Sequence, residues 1–180
     1  MNSAPGTVPI RTRRLLLRRF TTEDAPAVHT GWMGDAAMTR WLLWNAPETG
    51  EETRAIVRGW CFAYEEEPDY YNWAITLADT GEVCGSIGLT LCADGPQLGY
   101  LVGRRWQNKG YATEAVLAVC RFLEEKAGIY RIAALCAAEN TASLRVLEKA
   151  GFVYERDMTR KSYDKTRQLA CRLMLRQKQP

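Results

Sequence analysis

The hydrophobic pattern of this chain changes period at one point, and that change limits the folds open to it. Residues 72 to 78 alternate, with Trp73, Ile75 and Leu77 on one face, as a half-buried strand requires. Asp79-Thr80-Gly81 reads as a tight turn, and Val83 to Leu91 as the returning strand, with Ile87, Leu89 and Leu91 on one side. Asp94-Gly95-Pro96 turns the chain again, into a strand from Gln97 to Val102. After a polar loop at 103 to 110 the spacing becomes helical. Ala115, Val116, Val119, Phe122 and Leu123 share one face of a helix from Tyr111 to Ala127, opposite Arg121, Glu124, Glu125 and Lys126. Gly128 stops it, and Tyr130 to Cys136 reads as a strand. A strand, helix, strand unit over 97 to 136 requires a parallel crossover, whereas the hairpins before it are antiparallel. The sheet must therefore be mixed.

The flanks complete the order. Leu15 to Phe20 reads as a first strand, residues 22 to 33 as a short helix capped by Thr22, and Thr49 to Tyr64 as a second helix. Asn140 to Ala150 is a short helix stopped by Gly151, followed by strands Phe152 to Arg156 and Arg167 to Leu175. The expected fold is α/β with a mixed α+β sheet, in the order β-α-α-β-β-β-α-β-α-β-β. With 180 residues, one core is the natural outcome. We expect a flexible tail over 1 to 10, where Pro5, Gly6 and Pro9 fall, and a single domain over 11 to 180.

Composition excludes several function classes. Hydrophobic residues make up 47% and charged residues 25%, as in folded soluble proteins. Leu15-Leu16-Leu17, flanked by arginines, is too short for an export signal or a membrane span, so a cytoplasmic protein without a membrane partner is the expectation. A net charge of +3 does not argue for nucleic acid. The cluster Arg11, Arg13, Arg14, Arg18 and Arg19 reads as a solvated strand edge. No two of the six cysteines stand at C-x-x-C spacing and His29 is the one histidine. No metal site is expected, and the thiols read as reduced core residues.

The segment that carries chemistry is Gln107-Asn108-Lys109-Gly110-Tyr111-Ala112. A helix start leaves its first N–H groups unpaired at the positive end of the macrodipole, which makes it a ready anion site. Gly110 lets backbone approach an anion without a Cβ, Ala112 keeps the next turn small, and Lys109 can add charge. Neither the nucleotide P-loop pattern nor the dinucleotide glycine pattern is present.

This segment resembles the (Gln/Arg)-x-x-Gly-x-(Gly/Ala) motif of the GNAT N-acetyltransferase superfamily. Glu139 to Ser143 with Leu147 to Phe152 is similar to the N-x-x-S…LE-x-x-GF segment of its ribosomal-protein, RimJ/RimL-like branch. Thr12 to Phe20, Asp79 to Gly88 and Leu98-Gly99-Tyr100 also fit, so the resemblance spans roughly residues 11 to 175. It implies that the two parallel central strands splay apart and admit the pantetheine arm of acetyl-CoA. Leu101 and Val102 would offer backbone groups to that arm. Gln107, Asn108, Lys109, Gly110, Tyr111 and Ala112 would hold the pyrophosphate, and Asn140 would contact the cofactor near its thiol.

The reaction implied is direct attack of a neutral amine on the thioester in a ternary complex. Its needs are proximity, a deprotonated amine, and donors for the developing oxyanion and the leaving thiol. Ser143 is the catalytic candidate, as donor to the leaving thiol; a hydroxyl bonding within its own helical turn is the structural alternative. Where relatives carry a Tyr on this helix, Leu147 stands here, and where many carry Glu before Leu-Gly-Tyr, Gln97 stands. Glu114 reads as a helix-stabilising acid. A covalent cysteine route would have only His29 as base. The acceptor is a small-molecule or peptide amine. A ribosomal protein and an aminoglycoside-type antibiotic both stay open, as does a non-catalytic acyl-CoA-binding regulatory domain, and the protein is a monomer or a homodimer. Trp32, Trp41, Trp44, Tyr70 and Tyr71 concentrate where an acceptor pocket is expected, as clamp or as packing.

Overall fold

The computed structural model describes residues 5–92 and 95–179. Among these the strands are β1 (Ile10–Arg11), β2 (Leu15–Arg18), β3 (Tyr71–Leu77), β4 (Val83–Cys92), β5 (Gly95–Val102), β6 (Arg131–Ala137), β7 (Val153–Lys161) and β8 (Gln168–Gln177). They form one mixed sheet in the order β1-β2-β3-β4-β5-β6-β8-β7. The helices are α1 (Ala25–Val28), running into a π turn at His29–Met33, then α2 (Ala36–Thr39), α3 (Gly50–Glu66), α4 (Tyr111–Lys126) and α5 (Thr141–Lys149). The mixed α/β architecture expected from the sequence is the one adopted.

Two cores sandwich the sheet. Leu15, Leu17, Trp73, Ile75 and Ile87 meet Val116, Val119 and Leu123 of α4 and Leu144 and Leu147 of α5. On the opposite face Ala74 and Val83 meet Val28, Trp32, Val57 and Tyr64 from the N-terminal helices. The feature that matters for function lies between β5 and β6. These strands are parallel yet share one ladder pair, Gln97 with Ala133. Both continue beyond it, to Val102 and Ala137. Their C-terminal halves therefore diverge and open a gap, with α4 and α5 on one side of it.

Several expectations need correction. Strand β1 and helix α2 were not anticipated, being two and four residues long, below the length at which periodicity registers. Within the stretch expected as a tail, Gly6 and Thr7 are buried, Thr7 being 2% exposed. Its hydroxyl donates to the Tyr70 carbonyl at 2.7 Å and accepts from the Asn72 N–H at 2.9 Å. The Val8 carbonyl accepts from the Trp73 indole at 2.8 Å. These bonds satisfy polar groups that β3 would otherwise bury unpaired. Residues 1–4, and Asp94 of the expected turn, lie outside the described residues. Glu124, placed on the solvent face of α4, is 4% exposed. Arg176 Nε lies 2.8 Å and Lys178 Nζ 2.9 Å from its carboxylate, so cations from β8 and the residues after it make its burial tolerable.

Candidate active site

The loop before α4 is built on two residues of positive φ, Asn108 at 59° and Gly110 at 81°. Gly110 caps the helix in the left-handed region, which glycine enters without steric cost. The N–H of Glu114 bonds to the Gly110 carbonyl at 3.1 Å. The N–H groups of Tyr111, Ala112 and Thr113 precede it and have no intrahelical acceptor. These three residues, with Gln107, Asn108 and Gly110, line a cleft of about 600 Å³. Gln107 also ties the loop to β5, donating from Nε2 to the Val102 carbonyl at 3.0 Å. Lys109 is not among the lining residues; its carbonyl accepts from Arg14 Nη1 at 2.9 Å.

Arg14 braces this loop from behind, and sequence reasoning left it among solvated arginines. Its Nε donates to Glu114 Oε2 at 2.7 Å, and its guanidinium lies 4.8 Å from the Tyr111 ring centroid. Glu114 also accepts from the Thr12 hydroxyl at 2.7 Å and the Arg14 N–H at 2.9 Å. Burial would raise this carboxyl, but bonds from Thr12 and Arg14 outweigh it and hold the group below its ordinary range. Glu114 is thus structural, as expected.

At the far end of the cleft α5 begins. Asn140 caps it, its Oδ1 accepting from the Ser143 N–H at 3.2 Å. The Ser143 hydroxyl lies 2.8 Å from the Tyr100 hydroxyl, which is also 3.0 Å from the Ser143 carbonyl. Burial pushes the Tyr100 phenol far up, and its bond to Ser143 offsets only part of that. Ser143, Asn140 and Tyr100 all line the cleft. Cys136 is 4% exposed with its thiol pushed up by burial. His29 is bonded to Thr53 at 2.8 Å and does not line this cleft, so the two groups a covalent route would need are not together.

The strand phase refines which backbone faces the gap. Gly103 N–H donates to the Cys84 carbonyl at 2.9 Å, and Ser86 is registered with Leu101. Alternation along an antiparallel ladder then turns the polar groups of Leu101 toward β4 and those of Tyr100 and Val102 toward the gap. The Val102 carbonyl is already held by Gln107, which leaves its N–H as the available group. Leu101 contributes only as a lining residue. Of the five aromatics expected around an acceptor, Trp41 alone lines the cleft. Trp32 and Tyr71 are 1% and 2% exposed, and Trp44 and Tyr70 pack on the core beneath the N-terminal helices. Leu147, where a tyrosine would be needed for an alternative acid, is 1% exposed in the main core.

Charge completes the picture. Arg40, Arg104, Arg145 and Lys149 line the cleft, and no Asp or Glu does among the described residues. Unpaired amides at one end, four cations along the walls and a hydroxyl pair at the other suit a long polyanion with its reactive group at the tip.

The family model described as acetyltransferase (GNAT) domain matches residues 14–153. The chain is 31% identical over 150 residues to the uncharacterized N-acetyltransferase YoaA of Bacillus subtilis (strain 168), covering 81% of this chain and 83% of that one. Over 58 residues it is 38% identical to the ribosomal protein uS5-alanine N-acetyltransferase of Escherichia coli (strain K12), 32% of this chain and 30% of that one. Its structure is similar to that of an acetyltransferase (GNAT family) from Bacillus anthracis, with a TM-score of 0.79 at 25% identity over 94% of this chain and 98% of that one. The chain belongs to the GNAT family of N-acetyltransferases.

Proposed function

We propose that this protein transfers the acetyl group of acetyl-CoA to the α-amine of a peptide, by direct attack with both substrates bound. The observation that carries the proposal is the continuity of one cleft from the unpaired amides of Tyr111 to Thr113 to the Tyr100–Ser143 hydroxyl pair. The cleft suits the cofactor on three counts. It offers free N–H donors, it is shaped by a left-handed backbone at Gly110, and among the described residues no carboxylate that would repel phosphate lines it. Gln107, Asn108, Gly110, Tyr111 and Ala112 hold the pyrophosphate, while Lys109 stands behind them through its carbonyl. The Val102 N–H and Asn140 face the pantetheine arm. Bound acetyl-CoA supplies the activated acyl group. The protein supplies alignment, N–H donors at the strand gap for the developing oxyanion, and the Ser143 proton for the leaving sulfur.

Charge selects the acceptor. With no Asp or Glu among the described residues that line the cleft, an acceptor that needs a strong base is disfavoured. An α-amine titrates near ~8 and a lysine near ~10.4, so the α-amine reaches its neutral form with water as base. Arg40, Arg145 and Lys149 on the wall, beside an Arg104 that is paired with Asp35 at 3.0 Å, likewise disfavour a polycationic aminoglycoside. The segment shared with a protein named ribosomal protein uS5-alanine N-acetyltransferase supports the same choice.

The test is release of CoA thiol from acetyl-CoA over a panel of unblocked peptides, N-acetylated peptides carrying only lysine amines, and aminoglycosides. Turnover confined to unblocked peptides is expected. Binding of acetyl-CoA without turnover on any amine would overturn the reading. Gly110→Glu puts a Cβ 3.2 Å from Arg14 Nη2 on a backbone of positive φ, which disturbs the loop that presents the amides. It should weaken CoA binding by more than about 100-fold, roughly 2.8 kcal/mol at 1.4 kcal/mol per decade. Calorimetric titration beside a circular-dichroism melt would check that the fold survives.

A further inference from the structure

The Tyr100–Ser143 pair contains more hydrogen-bond geometry than a serine donor alone requires. The Tyr100 hydroxyl sits 3.0 Å from the Ser143 carbonyl and 2.8 Å from the Ser143 hydroxyl. A carbonyl only accepts, and each hydroxyl has one proton. The Cys136 thiol is a further hydrogen-bond partner of the Ser143 hydroxyl, and within the Tyr100–Ser143 pair two arrangements are open. If the Tyr100 proton goes to the carbonyl, the Ser143 proton must point back at the phenol to make the short contact. If it goes to the Ser143 hydroxyl, the Ser143 proton is released toward the cleft that both residues line. Moving between the two requires only rotation about C–O bonds.

The anchoring of both residues limits other solutions. Tyr100 is on β5 with its backbone aligned by the β4 ladder, and Ser143 is held at the first turn of α5 by the Asn140 cap. The hydroxyl pair thus bridges the two elements that border the sheet gap. Burial makes an ionised phenol costly, so Tyr100 is suited to hold a proton rather than to give one up.

We propose that Tyr100 is a positioning residue that orients the Ser143 proton toward the leaving sulfur. This rests on the acetyl-transfer reading and on Ser143 as donor. In the step, the C–S bond of the thioester breaks as the amine nitrogen bonds to the carbonyl carbon. The sulfur takes the Ser143 Oγ proton, and Oγ is steadied meanwhile by the hydrogen bond from Tyr100. The proton shed by the attacking nitrogen passes through water and restores the Ser143 hydroxyl. The protein ends unchanged, and the products are an amide and a thiol.

Tyr100→Phe removes the hydroxyl and keeps the ring, so packing is preserved. With the fastest-turning peptide of the panel and saturating acetyl-CoA, Tyr100→Phe is expected to lower kcat by about 10-fold while the KM for acetyl-CoA changes by less than about 2-fold. Ser143→Ala should lower kcat by about 100-fold, the low end for loss of a general acid. The decisive measurement is the double variant, which should be no slower than Ser143→Ala alone, because Tyr100 acts through Ser143. An unchanged kcat in Tyr100→Phe, or losses that multiply in the double variant, overturns the positioning role and leaves acetyl transfer standing. Full activity in Ser143→Ala removes the donor assignment and this inference together. Failure of every amine in the panel removes acetyl transfer itself and, with it, the role of Tyr100.

Discussion

Arg14 and Glu114 connect the N-terminal strands to the loop at the mouth of the cleft. The Arg14 guanidinium holds the Lys109 carbonyl at 2.9 Å and the Glu114 carboxylate at 2.7 Å. It thereby fixes both sides of Gly110 without contributing to the cradle's own amides. Arg14→Ala should raise the dissociation constant for acetyl-CoA by about 10-fold, near 1.4 kcal/mol, and leave the KM of the acceptor unchanged; a binding titration and initial rates would check both. Glu114 gives a prediction with a sign in pH. Its carboxyl is held below the ordinary range, and the unfolded value is near ~4.3. The stabilisation it contributes is therefore complete above that value and is lost as pH falls through the folded one. Glu114→Gln should be less stable than the parent at pH 7 by about 1.5–3 kcal/mol, the range for a hydrogen bond to a charged group. Thermal melts should show the gap closing below about pH 4, and a gap independent of pH would contradict the linkage.

Helices α4 and α5 are joined through the end of β8, beside the part of β6 that is still paired with β5. Arg176 donates from Nε to Glu124 of α4 at 2.8 Å and from Nη1 to the Ala150 carbonyl at the end of α5. Gly151 follows at φ 83°, and a Cβ there would stand 2.9 Å from Arg176 Nη1. Glu124→Ala leaves the half-buried guanidinium without its carboxylate and should cost about 3 kcal/mol. Gly151→Ala should cost about 1–2 kcal/mol from its left-handed backbone alone, measurable by urea unfolding. This junction also shows where the sequence could be read and where it could not. Strands β3 to β5, helices α3 to α5 and the loop at 107 to 112 were legible because each rests on local periodicity, caps and turn residues. Glu124 was misread because its partners, Arg176 and Lys178, are remote in sequence. Arg14 and Tyr100 were missed as functional residues for the same reason, since their value lies in pairings across elements. The splay of β5 from β6 came from family resemblance, since nothing local in either strand encodes the loss of pairing after Gln97 and Ala133.

Across the whole molecule, the two halves of the sheet close over the cleft through a strap that no motif announces. The segment after α2 supplies Arg40, Trp41 and Leu42 to the cleft wall. The hairpin between β7 and β8 holds that segment by its backbone. Arg167 donates to the Arg40 carbonyl at 3.1 Å, the Leu42 carbonyl at 3.2 Å and Asn45 Oδ1 at 2.9 Å. The Tyr163 N–H donates to the Leu43 carbonyl at 2.7 Å, and Asn45 Nδ2 to Asp164 at 2.6 Å. Beneath the strap Trp41 and Leu43 pack on Ala137, Leu169 and Cys171. The wall is therefore fixed where Arg40, Trp41 and Leu42 face the cleft, and if the acceptor binds there the strap sets its affinity. Because the guanidinium serves several acceptors in a plane, a lysine cannot replace it. Both Arg167→Ala and Arg167→Lys should raise the acceptor KM by about 5–20-fold and move the acetyl-CoA KM by less than about 2-fold. They should also expose residues 40 to 49 to limited proteolysis, as a segment freed from its backbone bonds becomes cleavable. Equal changes in the two KM values, or rescue by lysine, would place the strap outside acceptor binding.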